Sequence, residues 1–179
     1  MDPSKIPSGA GRGLVHMVVD TPRGSRNKYK FDVDSGLFKL SRVLPEGMHF
    51  PYDFGFIPGT AGDDGDALDV VAITDTPSFV GCLMSVRLIG VIAAKQTEKR
   101  NTIRNDRLLA VPITPVNKST IRRIQDLPPA DLGELEHFFA SYNEIQGRRF
   151  EPVGRLGPRA AERLVTSGIR LRRQPMEKE

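Results

Sequence analysis

The stretch Asp63-Asp64-Gly65-Asp66-Ala67-Leu68-Asp69-Val70-Val71-Ala72-Ile73 sets four carboxylates within seven residues and then runs directly into an apolar segment. The glycine permits a tight turn, so Asp64 and Asp66 can face one space. Asp69 follows at the mouth of a strand. Bunched carboxylates repel one another, and folded proteins offset that repulsion with a hard divalent cation or with Lys and Arg. A solvated acidic turn is the plainer alternative. Two features weigh toward a site: the cluster feeds an apolar strand, and Lys28, Lys30, Arg42 and Arg107 supply basic groups elsewhere in the chain.

Toward the N-terminus, Leu14 to Asp20 reads as a strand ended by Thr21-Pro22. Lys28-Tyr29-Lys30-Phe31-Asp32 alternates strictly, which puts Lys28, Lys30 and Asp32 on one face. Asp34-Ser35-Gly36 turns the chain, and Leu37 to Arg42 returns as the partner strand, so the hairpin can present Lys28 and Arg42 together. From pattern alone, a solvent-facing charged surface is the simpler reading of that hairpin. The segment Phe50 to Thr60 is dense in aromatics, prolines and glycines, which predicts a rigid wrapped loop rather than a helix or a central strand.

Toward the C-terminus, Leu83 to Ala93 and Leu108 to Ile113 read as strands joined by a basic loop, Lys95 to Asp106. The period then changes. Leu132, Leu135, Phe138, Phe139, Tyr142 and Ile145 form a stripe at helical spacing, with Asp131 expected to cap the helix and Glu134 to reach back to it. Residues 158–173 predict a second, basic amphipathic helix, weakened by Gly168. Strands followed by helices indicate an α+β fold built on an antiparallel sheet or barrel.

At 179 residues the chain reads as one domain, with 1–13 a flexible N-terminal segment and the tail from Gln174 frayed. No apolar run reaches the roughly 20 residues that span a bilayer, and the Pro/Gly/Ser-rich start lacks a secretory apolar stretch. A single cysteine, Cys82, excludes an intrachain disulfide and suits the cytoplasm. The net charge of +4 raises the question of nucleic acid. No zinc-ligand spacing, aromatic-rich strand pair or recognition helix accompanies it, so a basic nucleic-acid module ranks last. His16, His49 and His137 are isolated and read as structural or surface residues.

Taken together, D-G-D-x-x-D-V (Asp64 to Val70), preceded by F-P-Y-D-F-G-F-I-P-G-T, resembles the signature of the soluble family I inorganic pyrophosphatases. Lys28-Tyr29, Ser35-Gly36, Arg42, Gly90, Leu108 to Pro112, His137 to Phe139 and Tyr142 agree with it in order, from about residue 14 to residue 150. The resemblance implies a compact five-stranded, OB-like antiparallel β-barrel with flanking C-terminal helices, in a homo-oligomer that is often a hexamer. It also implies Mg2+-dependent hydrolysis of pyrophosphate. Asp64 and Asp69 match metal ligands, and Asp66 matches the carboxylate near the nucleophilic water, itself grouped with the metal site. Lys28, Arg42, Arg107 and Tyr142 match phosphate contacts. The chemistry agrees, because charge developing on phosphate oxygens is stabilised by positioned cations.

The same resemblance exposes departures within the pocket. Lys30 stands where the family has a glutamate, and Asp20 replaces another. Phe50, Phe54 and Phe56 stand where tyrosine is common. Asn105 and Gln96 fall at or near metal-binding aspartates, and Asn143 replaces a lysine. Asp106 could substitute for Asn105 only through a one-residue register shift, which would reverse the face of its side chain. These changes imply fewer metals, with Lys30 and Arg100 or Arg104 taking over part of their charge. Two readings follow: slower pyrophosphate hydrolysis, or a pyrophosphatase-fold protein that acts on another phosphoanhydride or binds a phosphate compound without turnover.

Overall fold

The computed structural model describes residues 2–11, 13–114 and 119–173. Its strands are β1 (Gly9–Gly11), β2 (Leu14–Thr21), β3 (Asn27–Asp32), β4 (Leu37–Val43), β5 (Asp53–Phe56), β6 (Asp69–Ala72), β7 (Leu83–Glu98), β8 (Asn101–Arg104), β9 (Arg107–Pro112) and β10 (Arg148–Leu156). Helix α1 (Pro129–Glu144) precedes β10, and α2 (Pro158–Arg173) follows it. The tail from Gln174 lies outside the described residues, as do Met1 and Arg12 of the N-terminal segment. Within that segment Gly9–Gly11 pairs with β2.

Strands β2, β5, β6, β9 and β7 hydrogen-bond in that order, and β7 returns to β2, closing a ring. This is the expected five-stranded OB-like barrel. Four of its pairings are antiparallel, and β6–β9 runs parallel, with Val70 opposite Leu108. The β3–β4 hairpin stands apart as a two-stranded sheet that presents Lys28 and Arg42 together, the two brought opposite by a bulge between Lys28 and Tyr29. Among the described residues no helix is long and apolar enough to cross a membrane.

Ring strands bury both faces, which is why Val70-Val71-Ala72 and Leu108-Leu109-Ala110-Val111 are continuously apolar. One face packs Val71, Leu109 and Val111 with Leu135 and Phe139 of α1 and Phe150 of β10. The other packs Val70, Leu108 and Ala110 with Ala161 and Val165 of α2. Helix α2 runs unbroken through Gly168, whose carbonyl accepts the Ala61 N–H at 3.0 Å and so ties the helix to the acid-bearing loop.

Four local expectations are corrected. The segment expected as a wrapped loop contains β5, which sits centrally between β2 and β6. Its glycine is the reason it fits: a Cβ at Gly55 would lie 2.0 Å from the Val18 carbonyl oxygen, so only glycine admits this approach. The basic loop 95–106 is largely a hairpin, because β7 continues to Glu98 and β8 returns along it. Lys99, at φ 54°, makes the turn. Strand β10 has no counterpart in the sequence pattern, since Pro152 and Gly154 interrupt its alternation at a bulge against β7. Finally, α1 starts at Pro129 with no side-chain cap, so Asp131 lies in its first turn instead of capping it.

Candidate active site

A cleft of about 490 Å3 opens between the β3–β4 hairpin, the acidic turn and the ends of β7 and β9. Gly65, at φ +82°, turns the chain between Asp64 and Asp66, and the Asp66 N–H donates to Asp64 Oδ1 at 3.1 Å. Burial pushes the Asp64 carboxyl above its ordinary pKa, and the nearby Asp69 and Asp66 carboxylates push the same way, while the Asp66 N–H opposes them. Asp69 opens β6, opposite Phe56. All three aspartates line the one cleft.

The chain's own cations meet these acids. Lys30 Nζ reaches Asp66 Oδ2 at 2.9 Å, and Arg107 Nη1 reaches Asp69 Oδ2 at 2.8 Å. Lys28 Nζ lies 2.7 Å from Asp20 Oδ1 and 4.6 Å above the Phe54 ring. Phe54 cannot offer a hydroxyl, but its face holds the ammonium. Burial raises the Asp20 carboxyl to about 6, against the opposing pull of Lys28. Burial also raises the Tyr142 phenol, and the positive charge of Arg42 partly counters that. Tyr142 therefore stays a neutral hydrogen-bonding group at the cleft wall.

Arg107 is the most enclosed of the cations. It is buried, with its guanidinium 5.3 Å from both the Phe139 and the Phe150 ring centroids. Its Nη1 donates to the side-chain oxygen of Asn105, whose Nδ2 donates on to Gln96 Oε1 at 2.8 Å. Arg107, Asn105 and Gln96 thus form one hydrogen-bonded chain along the cleft. The Asp106 side chain takes no part in it, although its backbone carbonyl accepts from Arg107 Nη1 at 3.2 Å. Its Oδ1 accepts the Ala94 N–H at 2.9 Å and Arg104 Nε at 2.6 Å, away from the cleft. The register stays with Asn105, so Asp106 does not replace it and Arg104 is held elsewhere.

Every residue singled out from the sequence as a site candidate lines this cleft: Lys28, Arg42, Asp64, Asp66, Asp69, Arg107 and Tyr142. Arg100 and Arg104 do not. The sequence reading missed Gln146, Arg148 and Arg172, which also line it. The spacing of Arg148, Phe150 and Pro152 along one strand face was the signal for the second of these, obscured once β10 went unrecognised. Lining the cleft are six Lys and Arg side chains and four Asp. Among the described residues no three Asp, Glu, His or Cys side chains converge into a ready-made cage for a metal ion.

A closed five-stranded barrel carrying a cleft rich in Lys, Arg and Asp defines a protein suited to phosphate anions and a hard cation. Comparison with known proteins gives the family. The Pyrophosphatase family, described as inorganic pyrophosphatase, matches residues 17–172. The inorganic pyrophosphatase of Geobacillus stearothermophilus is 38% identical over 156 residues, covering 87% of this chain and 92% of that protein. The Synechocystis protein of the same name is 38% identical over 154 residues, covering 86% and 89%. The crystal structure of the Thermus thermophilus inorganic pyrophosphatase superposes with a TM-score of 0.88 at 31% identity, covering 97% of this chain and all of that one. The chain belongs to the inorganic pyrophosphatase family.

Proposed function

We propose that this protein hydrolyses inorganic pyrophosphate to two phosphates, with Mg2+ as its cofactor. The observation that carries the reading is the convergence of Asp64, Asp66 and Asp69 with Lys28, Arg42, Arg107 and Tyr142 in one cleft. The donor set fits magnesium. Its oxygens are hard, Asp64 is raised by burial and by acidic neighbours that a cation would relieve, and magnesium uses only one or two carboxylates beside waters and phosphate oxygens. Asp64 and Asp69, with Asp66, would hold it. Bound there, it supplies charge neutralisation and activation of water.

The chain's own residues do the rest. Lys28, Arg42 and Arg107 neutralise phosphate oxygens, and the Tyr142 hydroxyl donates to one of them. Arg107 is held rigid by its two rings and by Asn105, so it needs little reorganisation when the anion arrives. Asp66 accepts a proton from the attacking water as the new P–O bond forms and the bridging P–O bond breaks. Lys30 must leave Asp66 for that proton to be taken.

The test is phosphate release from pyrophosphate by the purified protein, with and without magnesium and in Asp66→Asn. Metal-dependent release lost in the variant supports the assignment. Full activity in the variant removes Asp66 from its role, and no release from folded wild type favours the reading as a phosphate-compound binder. We further infer a cytoplasmic homo-oligomer, hexameric by likeness to the family, acting without a membrane or nucleic-acid partner. Sedimentation of the purified protein checks the oligomer.

A further inference from the structure

Three of the four cleft carboxylates already have a cationic partner within the chain: Asp20 with Lys28, Asp66 with Lys30, and Asp69 with Arg107. The fourth, Asp64, accepts the Asp66 N–H. On the cationic side, Arg42 forms no ion pair among the described residues, and Arg148 shares its charge only with Glu98, at 3.2 Å. The cleft therefore holds surplus positive charge from its own side chains, on groups that donate to phosphate oxygens.

The pairs differ in how easily they open. Lys28 and Arg107 are largely enclosed, whereas Lys30 and Asp66 are both 64% exposed. Exposed ion pairs contribute little, so Lys30 can leave Asp66 at small cost. A diphosphate carrying several charges is the stronger partner for it.

We propose that Lys30 is a specificity-determining residue that makes the cleft a receptor for inorganic pyrophosphate in the absence of any divalent cation, moving from Asp66 to the bound anion. This deepens the proposed function and rests on the same cleft being the pyrophosphate site. Departure of Lys30 also frees the Asp66 carboxylate, which couples anion binding to exposure of the proposed base.

The experiment is calorimetric titration of inorganic pyrophosphate into the protein in excess EDTA at fixed ionic strength. Wild type, Lys30→Glu, Lys30→Gln and Lys39→Gln are compared, with thermal unfolding to verify folding. Lys39 pairs with Asp32 and does not line the cleft, so its variant controls for net charge. Saturable binding to wild type is expected, weakened about tenfold or more in Lys30→Glu, less in Lys30→Gln, and unchanged in Lys39→Gln. No saturable binding in EDTA, or equal binding by wild type and Lys30→Glu, overturns the proposal. Turnover with magnesium but no binding in EDTA would remove this inference alone. Binding in EDTA without turnover would remove the hydrolytic reading and leave this one standing.

Discussion

On the acidic turn, Asp64 and Asp66 stand at a glycine bend where the Asp66 carboxylate is paired with the exposed Lys30, while along β7 and β9 the side chains of Gln96, Asn105 and Arg107 are linked in sequence and the guanidinium sits against Phe139 and Phe150. Both regions line the same cleft, yet they hold charge in opposite ways. The turn keeps oxygen donors close to solvent, where a weak ion pair can be exchanged for a ligand. The β7–β9 side sets neutral amides beside a buried guanidinium whose Nη1 is already bonded to Asn105 and Asp69, while its Nε is buried without a partner among the described residues. On the proposed function, the turn would carry the chemistry and the strands the buried positive charge.

Removing the function of each region should consequently have different readouts. Asp66→Asn should lower phosphate release by roughly 10²–10⁴-fold, the scale of a lost general base, and should leave the unfolding midpoint nearly unchanged because the side chain is exposed. Arg107→Met should act the other way round. It retains apolar contact with both rings but leaves Asp69 without its partner and Asn105 with an unmatched oxygen. Breaking this pair, buried at Arg107 but partly exposed at Asp69, costs about 3 kcal/mol, the low end for a buried pair, read as a lower urea midpoint at unchanged slope, with binding of pyrophosphate weakened as well. A stable Arg107→Met protein would show that the two regions are not mechanically distinct.

Asp20 gives a smaller effect on stability alone. Its carboxyl titrates near 6 in the folded protein, against an ordinary 3.8. Between those values the folded state holds a proton that the unfolded chain has released, so stability falls as pH rises through that window and is flat above it. The drop from this group is at most ~3 kcal/mol. Urea midpoints from about pH 4 to about pH 7 should show that decline in wild type, and Asp20→Asn should remove it. An identical slope in both would mean that Lys28 keeps Asp20 ionised throughout.

The contrast between the regions also explains what could be read in advance. The acidic turn, β6 and the β3–β4 hairpin were legible because local rules govern them: a glycine-permitted bend, an apolar run, and strict alternation. The stripes of α1 and α2 were legible for the same reason. Strand β5 was hidden because its glycine answers to the Val18 backbone of the neighbouring strand β2, a contact no local pattern records. Strand β10 was hidden by a bulge, and the role of Asp106 by a register that only the β7–β9 pairing fixes. At Asn105 and Gln96 the identity of the residues was legible as a departure, whereas their linkage through one hydrogen-bonded chain to Arg107 was not.

That linkage predicts the effect of restoring a carboxylate. In Asn105→Asp, Arg107 Nη1 would face a charged oxygen where it now meets an amide, in addition to Asp69. Competition for one guanidinium loosens its hold on Asp69 and returns oxygen density to the acidic turn. Gln96 would lose the donor it now has from Asn105 and would rotate its amide to present an N–H to the new carboxylate, so the chain stays satisfied. The protein should therefore fold, with one more negative charge beside Asp69. Mg2+ affinity, measured by calorimetry before substrate is added, should rise about tenfold, equivalent to ~1.4 kcal/mol. Pyrophosphate binding in EDTA should weaken in the same variant, since the added charge repels the free anion. Unchanged affinity for both would mean that the neutral amides are bystanders, and that the difference between the two regions resides in Arg107 alone.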